Sequence, residues 1–391
     1  MKNKFGWEIK PLKQLGLIVT GHTPKTSNKD NYNSNDYCFF KPSDLRGENI
    51  SILSKSENYI SKIAFEGSRA LPVGSVLVTC IGTVGNVGIT TVESTSNQQI
   101  NAIIPHYNLN SKFLAYSISS LRSLFNHIAN APVVPIINKS QFSEVRIPVP
   151  PLPTQHQIVS ELDALSEIIS KKKQQIEELD KLAQATFYDM FGDPVTNEKG
   201  WEVKKFGEVC DINPKKSEIS DVERNTYVSF VPMAKVGEKG ELELTENRRL
   251  SDVISGFTYF KDNDVLFAKI TPCMENGKGT IATGLKNGIG FGSTEFHVLR
   301  PKKTVNSEYI YAITSKSDFR NEAERNMTGS AGQKRVPKEF FLQYKIPVPE
   351  INIQNHFAAQ IKSIKKQKAI INLSIAEVQQ LFDYTMDKYF N

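Results

Sequence analysis

Ile147-Pro148-Val149-Pro150 recurs 199 residues further along the chain as Ile346-Pro347-Val348-Pro349, and this duplicated stretch determines the architecture of the 391-residue protein. A second pair of matching stretches lies upstream: Trp7-Glu8-Ile9-Lys10 returns as Trp201-Glu202-Val203-Lys204. Each half of the chain therefore starts and ends alike. A repeat of this size predicts two similar modules that bind a partner with two similar halves.

The repeat divides the chain into four predicted segments. Residues 1–150 and 198–346 form two bodies that match each other loosely, each about the size of one domain. Residues 151–193 and 347–391 match without a gap. We expect the variable bodies to carry recognition and the strict segments to act as scaffold.

Within the strict segments, residues 154–191 and 353–390 are predicted to be long helices, because apolar residues recur at a spacing of three and four. The prolines before each helix are expected to end the preceding strand. The apolar seams are similar, so we favour two helices that pack on each other; two isolated surface helices are the alternative. The predicted seam residues are Leu162, Leu165, Ile169, Ile176, Leu179, Ile361, Ile364, Ile371, Ile375 and Val378.

The two bodies are predicted to be mainly β, with short apolar strands at 75–81 and 265–270. One short helix is expected in each, at 111–124 and at 307–324. Glycine-rich stretches follow the strands, for example at 276–280, but they lack the spacing of a nucleotide-binding loop. They are interpreted either as hairpins that approach a nucleic-acid groove or as plain structural turns.

The composition favours a reduced protein without a metal centre. Lys and Arg number 48 against 42 Asp and Glu, a net charge of +6 that is compatible with binding a polyanion. The four cysteines show neither CxxC pairing nor metal spacing, which predicts a cytoplasmic protein. The sequence shows no signal peptide and no apolar run that predicts a membrane span. We find no hydrolase, metalloprotease or kinase motif, which favours recognition over catalysis.

The sequence resembles the specificity subunit of type I restriction-modification enzymes. The resemblance rests on the repeated Ile-Pro-Val-Pro, on Gln155 and Gln354 at the helix starts, and on aromatic residues at the helix ends. The stretches 264–272 and 292–296 also resemble motifs of the family's target recognition domains. Cys80 stands where the second half has Lys269, which is expected if the two domains bind different DNA sequences.

The resemblance implies an α+β fold with an internal pseudo-two-fold repeat: two similar α/β target recognition domains separated by an antiparallel pair of long coiled-coil helices. It implies a non-catalytic subunit that binds double-stranded DNA at a split, asymmetric target. Two modification subunits with S-adenosylmethionine would methylate adenine, and two restriction subunits with ATP and Mg would cut DNA. No cofactor and no membrane contact are expected for this chain itself.

Lys and Arg commonly contact phosphates, whereas Asn, Gln, Ser, Thr and basic side chains read base edges. The predicted DNA-contacting residues lie in loops near the matched motifs: Arg46, Thr83, Asn86, Asn97, Gln98, Lys269, Thr271, Lys278, Ser293, Thr294, Lys334 and Arg335. Two alternatives remain open: a non-catalytic protein–protein adaptor with paired domains on a coiled coil, and an enzyme whose active site is not recognised.

Overall fold

In the computed structural model, which describes residues 2–46, 49–129, 134–330 and 332–391, the chain forms two compact units. The first comprises Met1–Lys173 and Asn372–Asn391, and the second comprises Gln174–Ile371. Each unit therefore contains one β-rich body and a part of each long helix. The boundaries of the four predicted segments stay a prediction.

The strands follow the duplication. In the first unit they are β1 (Glu8–Pro11), β2 (Gly16–Thr20), β3 (Tyr37–Phe40), β4 (Ser51–Leu53), β5 (Tyr59–Ile60), β6 (Val76–Thr79), β7 (Val87–Thr90), β8 (Ser94–Ser96), β9 (Ile100–Pro105) and β10 (Arg146–Val149). In the second unit they are β11 (Glu202–Lys205), β12 (Cys210–Ile212), β13 (Tyr227–Val231), β14 (Asn247–Arg249), β15 (Thr258–Lys261), β16 (Val265–Ala268), β17 (Gly279–Ile281), β18 (Ile289–Gly292), β19 (Phe296–Pro301) and β20 (Lys345–Val348).

The helices are mostly short. They are α1 (Lys62–Glu66), α2 (Ser111–Ser120), α3 (Arg122–Ile128), α4 (Lys139–Glu144), α5 (Leu152–Phe191), α6 (Phe206–Val209), α7 (Leu250–Val253), α8 (Ser307–Ser315), α9 (Ser317–Arg325), α10 (Lys338–Gln343) and α11 (Ile351–Phe390). Single turns of 3-10 helix lie at Leu12–Gln14, Lys29–Tyr32, Pro42–Asp44, Lys216–Ile219, Met233–Lys235 and Lys286–Gly288.

Sheet topology repeats as well. Among the described residues, the order β2-β9-β6-β7 in the first unit corresponds to β12-β19-β16-β17 in the second. The order β5-β3-β8 likewise corresponds to β14-β13-β18, with a parallel pairing of the last two strands in both. The two units differ at their edges, where β4 extends the first sheet and β15 the last. The duplication thus extends from the sequence to strand order.

The two repeated sequence stretches pair with each other in each unit. Strand β1 runs antiparallel to β10 with Ile9 opposite Pro148, and β11 runs antiparallel to β20 with Val203 opposite Pro347. Pro148 and Pro347 thus lie inside their strands, and each strand ends directly before the next proline, Pro150 or Pro349, as expected. Proline lacks a backbone N–H, and a two-stranded ladder tolerates it on the side that faces no further strand.

The single helix predicted at 111–124 and at 307–324 is wrong in detail, because each of these segments holds parts of two helices. Lys316 separates α8 from α9 in an extended conformation, and Leu121 separates α2 from α3. The break lets Phe125 and Phe319 turn into the cores of their units, where both are almost fully buried. Burial of these rings outweighs the propensity for one continuous helix.

Both long helices are confirmed, and each begins two residues before its predicted start. They pack antiparallel: in the second unit Lys368 donates to Asp180 at 2.5 Å, and the rings of Phe187 and Phe357 lie 5.8 Å apart. In the first unit the Tyr389 hydroxyl donates to Glu161 at 2.8 Å, so the end of α11 meets the start of α5.

The seam residues distribute between the cores of the two units. Leu162 and Ile169 are buried in the first core, whereas Ile361 and Ile364 belong to the second. Partly buried residues pack against one core or the other: Leu165, Ile375 and Val378 against the first, and Leu179 against the second. Ile176 and Ile371 are half-buried.

A glutamine near the start of each long helix fastens that helix to its β-rich body. Gln155 accepts a hydrogen bond from the Asn110 N–H and donates to the Pro150 carbonyl, both at 2.9 Å. Gln354 accepts from the Asn306 N–H at 3.0 Å and donates to the carbonyls of Thr304 and Pro349 at 3.0 and 2.8 Å. The glutamines are 1% and 0% exposed. Buried amides with such partners fix how each body is oriented on its helix.

Candidate nucleic-acid interface

Three loops of the second unit meet where strand β16 ends. The Lys269 N–H donates to the Glu295 carbonyl, and the Val336 N–H donates to the Lys269 carbonyl, both at 2.9 Å. The Thr271 N–H donates to the Lys334 carbonyl at 3.1 Å. Residues 269–271, 293–295 and 334–336 form the second loop junction.

The first unit has the same arrangement after strand β6. The Cys80 N–H donates to the Gln99 carbonyl at 2.8 Å, and the Ile137 N–H donates to the Cys80 carbonyl at 2.9 Å. The Gly82 N–H completes the set by donating to Pro135 at 3.0 Å. Residues 80–82, 97–99 and 135–137 form the first loop junction. One backbone framework is thus built twice with different side chains.

Six of the residues predicted to contact DNA lie at the second loop junction: Lys269, Thr271, Ser293, Thr294, Lys334 and Arg335. Thr294 and Lys334 are exposed, and the other four are half-buried. The Thr271 hydroxyl donates to the Gly332 carbonyl at 3.1 Å, and the Ser293 hydroxyl oxygen accepts from the Glu295 N–H at 3.2 Å. Those two hydroxyls therefore help to shape the loops that carry them.

Lys278 lies beside this junction, in the glycine-rich turn. Its carbonyl accepts from the Ala268 N–H at 3.2 Å, and its ammonium group lies 3.5 Å from the Met233 carbonyl. The buried guanidinium of Arg320 donates to the carbonyl of Met274 at 2.6 Å and supports the turn from below. The glycine-rich turn is therefore held by specific contacts in this unit.

A charged pair organises the second loop junction. The Nε and Nη2 atoms of Arg335 donate to the two carboxylate oxygens of Glu295, each at 2.9 Å. These hydrogen bonds lower the pKa of Glu295, so the carboxylate stays ionised at neutral pH. With Lys269 and Lys334, the junction presents three cations and one carboxylate. Its surface is suited to a polyanion.

His297 lies beneath the junction and is buried. Its Nε2 is 2.8 Å from the Val336 carbonyl, and its Nδ1 is 3.0 Å from the side-chain amide of Asn213. A carbonyl only accepts, so Nε2 carries the proton and Nδ1 accepts from the amide. Burial lowers the pKa of His297 to about 4, which keeps the ring neutral. His297 therefore connects strand β19 to the segment 334–336 of the junction.

The first loop junction is nearly uncharged. Asn97 is 6% exposed; its amide donates to Gln99 Oε1 at 2.8 Å and its Oδ1 accepts from the Gln99 N–H at 3.1 Å. Gln98 is exposed and accepts from the Thr23 hydroxyl at 2.6 Å. Burial raises the pKa of the Cys80 thiol to about 11, so the thiol stays protonated at neutral pH.

The remaining predicted residues of the first unit fall into two groups. Thr83 is exposed and Asn86 half-buried in the glycine-rich turn, where the Asn86 N–H donates to the Thr79 hydroxyl at 3.0 Å. Arg46 takes no part in the three backbone hydrogen bonds that define the first loop junction. Its exposed side chain pairs with Glu57 at 2.9 Å on a separate loop.

Sequence reasoning missed Glu295 and Gln99, which organise the two junctions. Both lie in stretches that were already matched between the halves, but an acidic residue is not expected at a surface that binds phosphate. His297 and its counterpart Asn101 were missed as well, because an isolated histidine carries no signal of its partners.

Across the described ranges, no group of three residues suited to hold a metal occurs. None of the described helices is long and apolar enough to cross a membrane.

Comparison with known proteins identifies the family. A family model for the type I restriction modification DNA specificity domain matches residues 5–180 and again residues 198–380. The chain belongs to this family. The two matched segments fall on the two halves of the internal repeat.

Relatives match parts of the chain. The EcoAI specificity subunit of Escherichia coli is 44% identical over 158 residues, which is 40% of this chain and 26% of that protein. The MjaIX specificity subunit of Methanocaldococcus jannaschii is 30% identical over 225 residues, 53% of this chain and 52% of that protein. This chain thus covers about a quarter to a half of the length of these relatives.

A solved structure shares the fold. The S subunit of a type I restriction-modification system from M. genitalium superposes with a TM-score of 0.57 at 13% identity, over 100% of this chain and 98% of that one. The α+β fold with duplicated bodies and paired long helices is confirmed.

Proposed function

We propose that this chain is the sequence-specific DNA-binding subunit of a type I restriction-modification enzyme. The observation that carries the proposal is the loop junction, which one backbone framework forms twice with different side chains. One junction carries Lys269, Lys334 and Arg335, and the other carries Cys80 and Ile136 at matching positions. Two copies of one scaffold with different surfaces suit a target whose two halves differ in sequence.

The chemistry belongs to partner subunits in this proposal. Two modification subunits bind S-adenosylmethionine and methylate adenine, and two restriction subunits use ATP and Mg to cut DNA in the cytoplasm. His297 and Cys80 are 4% and 3% exposed, so neither side chain is presented to a substrate at the surface of its junction. The paired helices α5 and α11 supply the scaffold on which partners assemble.

Methylome mapping tests the proposal directly. The chain is co-expressed with its modification subunit in a host that lacks adenine methylation, and methylated adenines are mapped across the genome. We expect one split, asymmetric motif, and no methylation when either chain is expressed alone. Methylation by this chain without its partner would contradict the division of labour.

Exchange of one body tests the assignment of each half-site. Residues 1–150 are replaced by the equivalent domain of a related subunit, and the methylated motif is mapped again. One half of the motif should change while the other half stays. The reciprocal exchange of residues 198–346 is the matched control and should change the other half.

A protein–protein adaptor is the alternative, and salt dependence separates the two. A DNA-binding subunit loses affinity steeply as salt is added. The logarithm of its association constant falls by about 0.9 per phosphate contacted for each tenfold increase in salt concentration. An adaptor that binds only proteins shows no such dependence and no affinity for a duplex carrying the mapped motif. Binding measured between roughly 50 and 200 mM salt distinguishes them.

A further inference from the structure

Arg335 is held rigidly at the second loop junction. Its Nε and Nη2 bind Glu295 side-on, and its Nη1 donates to the Gln333 carbonyl at 3.2 Å. Its backbone is fixed as well, because its N–H and carbonyl pair with Thr328 at 2.8 and 3.0 Å. The side chain is nevertheless 42% exposed. An arginine fixed on one edge and exposed on another is oriented toward an external ligand.

The guanidinium retains hydrogen-bonding capacity after these contacts. It carries five N–H groups in one plane. Glu295 and Gln333 use three of them, which leaves one N–H on each terminal nitrogen without a partner among the described residues. Two donors at the end of a planar group match a ligand with two adjacent acceptors.

Guanine offers such a pair of acceptors in the DNA major groove, namely O6 and N7. No other base presents two acceptors side by side there, because adenine pairs its N7 with a donor. Resting on the function proposed above, we propose that Arg335, oriented by Glu295, reads a guanine in the half-site bound by the second domain. Glu295 is then a positioning residue, which fixes the plane of the guanidinium before DNA arrives.

The first unit does not have this contact. Ile136 forms an antiparallel backbone bridge with Ile81, just as Arg335 does with Ile270. Ile136 therefore occupies the position of Arg335. Gln99 stands at the position of Glu295. An isoleucine donates no hydrogen bond, so the inferred guanine contact belongs to one half-site only. This asymmetry distinguishes a base contact from a structural role that both junctions would share.

Replacing guanines by 7-deazaguanine tests the inference on the unaltered chain. This analogue lacks the N7 acceptor but keeps O6 and normal base pairing. The full chain, purified with its modification subunit, is titrated with duplexes in which each guanine of the second half-site is replaced in turn. We expect one position at which affinity falls roughly tenfold, since a bidentate contact of this kind contributes about 1–3 kcal/mol. Any effect of replacing guanines in the first half-site should be the same in Arg335→Gln as in the unaltered chain, because Ile136 cannot make this contact.

Variants assign the effect to Arg335. In Arg335→Gln, natural guanine should bind roughly tenfold more weakly and 7-deazaguanine should cause no further loss; Glu295→Gln should give an intermediate sensitivity. Arg325→Gln is the matched control, because Arg325 also pairs with a glutamate, Glu322, on an exposed surface of the same unit. It should leave both affinities unchanged.

Three results overturn the inference while the proposed function stands: no guanine in the second half-site, equal sensitivity in Arg335→Gln and the unaltered chain, or a uniform loss on all duplexes. The last would indicate a phosphate contact. If the assembled protein shows no sequence-specific binding at all, the proposed function itself is wrong.

Discussion

Gln354→Ala is expected to loosen the attachment of α11 to the body of the second unit. The substitution removes a fully buried amide that makes three hydrogen bonds, to the Asn306 N–H and to the carbonyls of Thr304 and Pro349. At about 1 kcal/mol net for each bond, the loss is about 3 kcal/mol. The Asn306 N–H, at the N-cap of helix α8, loses its acceptor in this variant.

Hydrogen exchange is the appropriate assay, because a chain of two units does not meet the requirements for one unfolding free energy. A local loss of about 3 kcal/mol corresponds to roughly 100-fold faster exchange of the affected amides. Peptides that cover residues 304–310 should show it. Gln155→Ala removes two equivalent bonds in the first unit, so exchange near Asn110 should accelerate less.

Gln360→Ala is the matched control, because this glutamine lies on the same helix, is exposed, and hydrogen-bonds to the exposed His356. It should change exchange near Asn306 by no more than a few-fold. The reasoning is refuted if Gln354→Ala leaves residues 304–310 as protected as before, or if the control accelerates them equally.

Three further changes have defined outcomes. Because the pKa of His297 is about 4 when folded and near 6.5 when unfolded, its contribution is complete above pH 6.5 and declines as pH falls toward 4. Hydrogen exchange around strand β19 in His297→Gln should therefore lack about 2 kcal/mol of the loss of protection that the unaltered chain shows between pH 7 and 5. Gly290→Ala would place a Cβ 2.1 Å from the ring of Phe260, so we expect the melting temperature to fall by several degrees. An unchanged melting temperature would contradict this packing. Seven residues inserted after both Lys172 and Ile371 add about 10 Å of helix, or roughly three base pairs. Methylome mapping should then show a longer gap between unchanged half-sites, whereas a two-residue insertion should abolish methylation.

Long, periodic features were predictable from the sequence. The heptad spacing and the flanking prolines placed both long helices within two residues of their observed starts. The signal was strong because a helix of this length repeats its pattern many times. Shorter elements depended on the tertiary structure: the breaks at Leu121 and Lys316 follow from burying Phe125 and Phe319, which local propensity does not encode.

The junctions were predictable only in part. Lys334 and Arg335 were selected because they are basic and lie in a loop, but nothing in the sequence indicated that this loop contacts Lys269, some 65 residues earlier. The orientation of Arg335 depends on Glu295, and that pairing becomes visible only once the loops are folded together. Side-chain identity can be read from the sequence, whereas the partner of each side chain depends on long-range contacts.

The ladder between the repeated stretches has a consequence for how such genes change. Because β1 lies beside β10, and β11 beside β20, the chain enters and leaves each β-rich body at one place. A body can therefore be replaced by a foreign one through two crossovers in the short coding regions for those strands. The rest of the polypeptide keeps its path, since both ends of the replacement meet it at the same two adjacent points. If the bodies bind DNA as proposed, homologous recombination between such regions would change one half of the target in a single step, without an intermediate that must refold its scaffold.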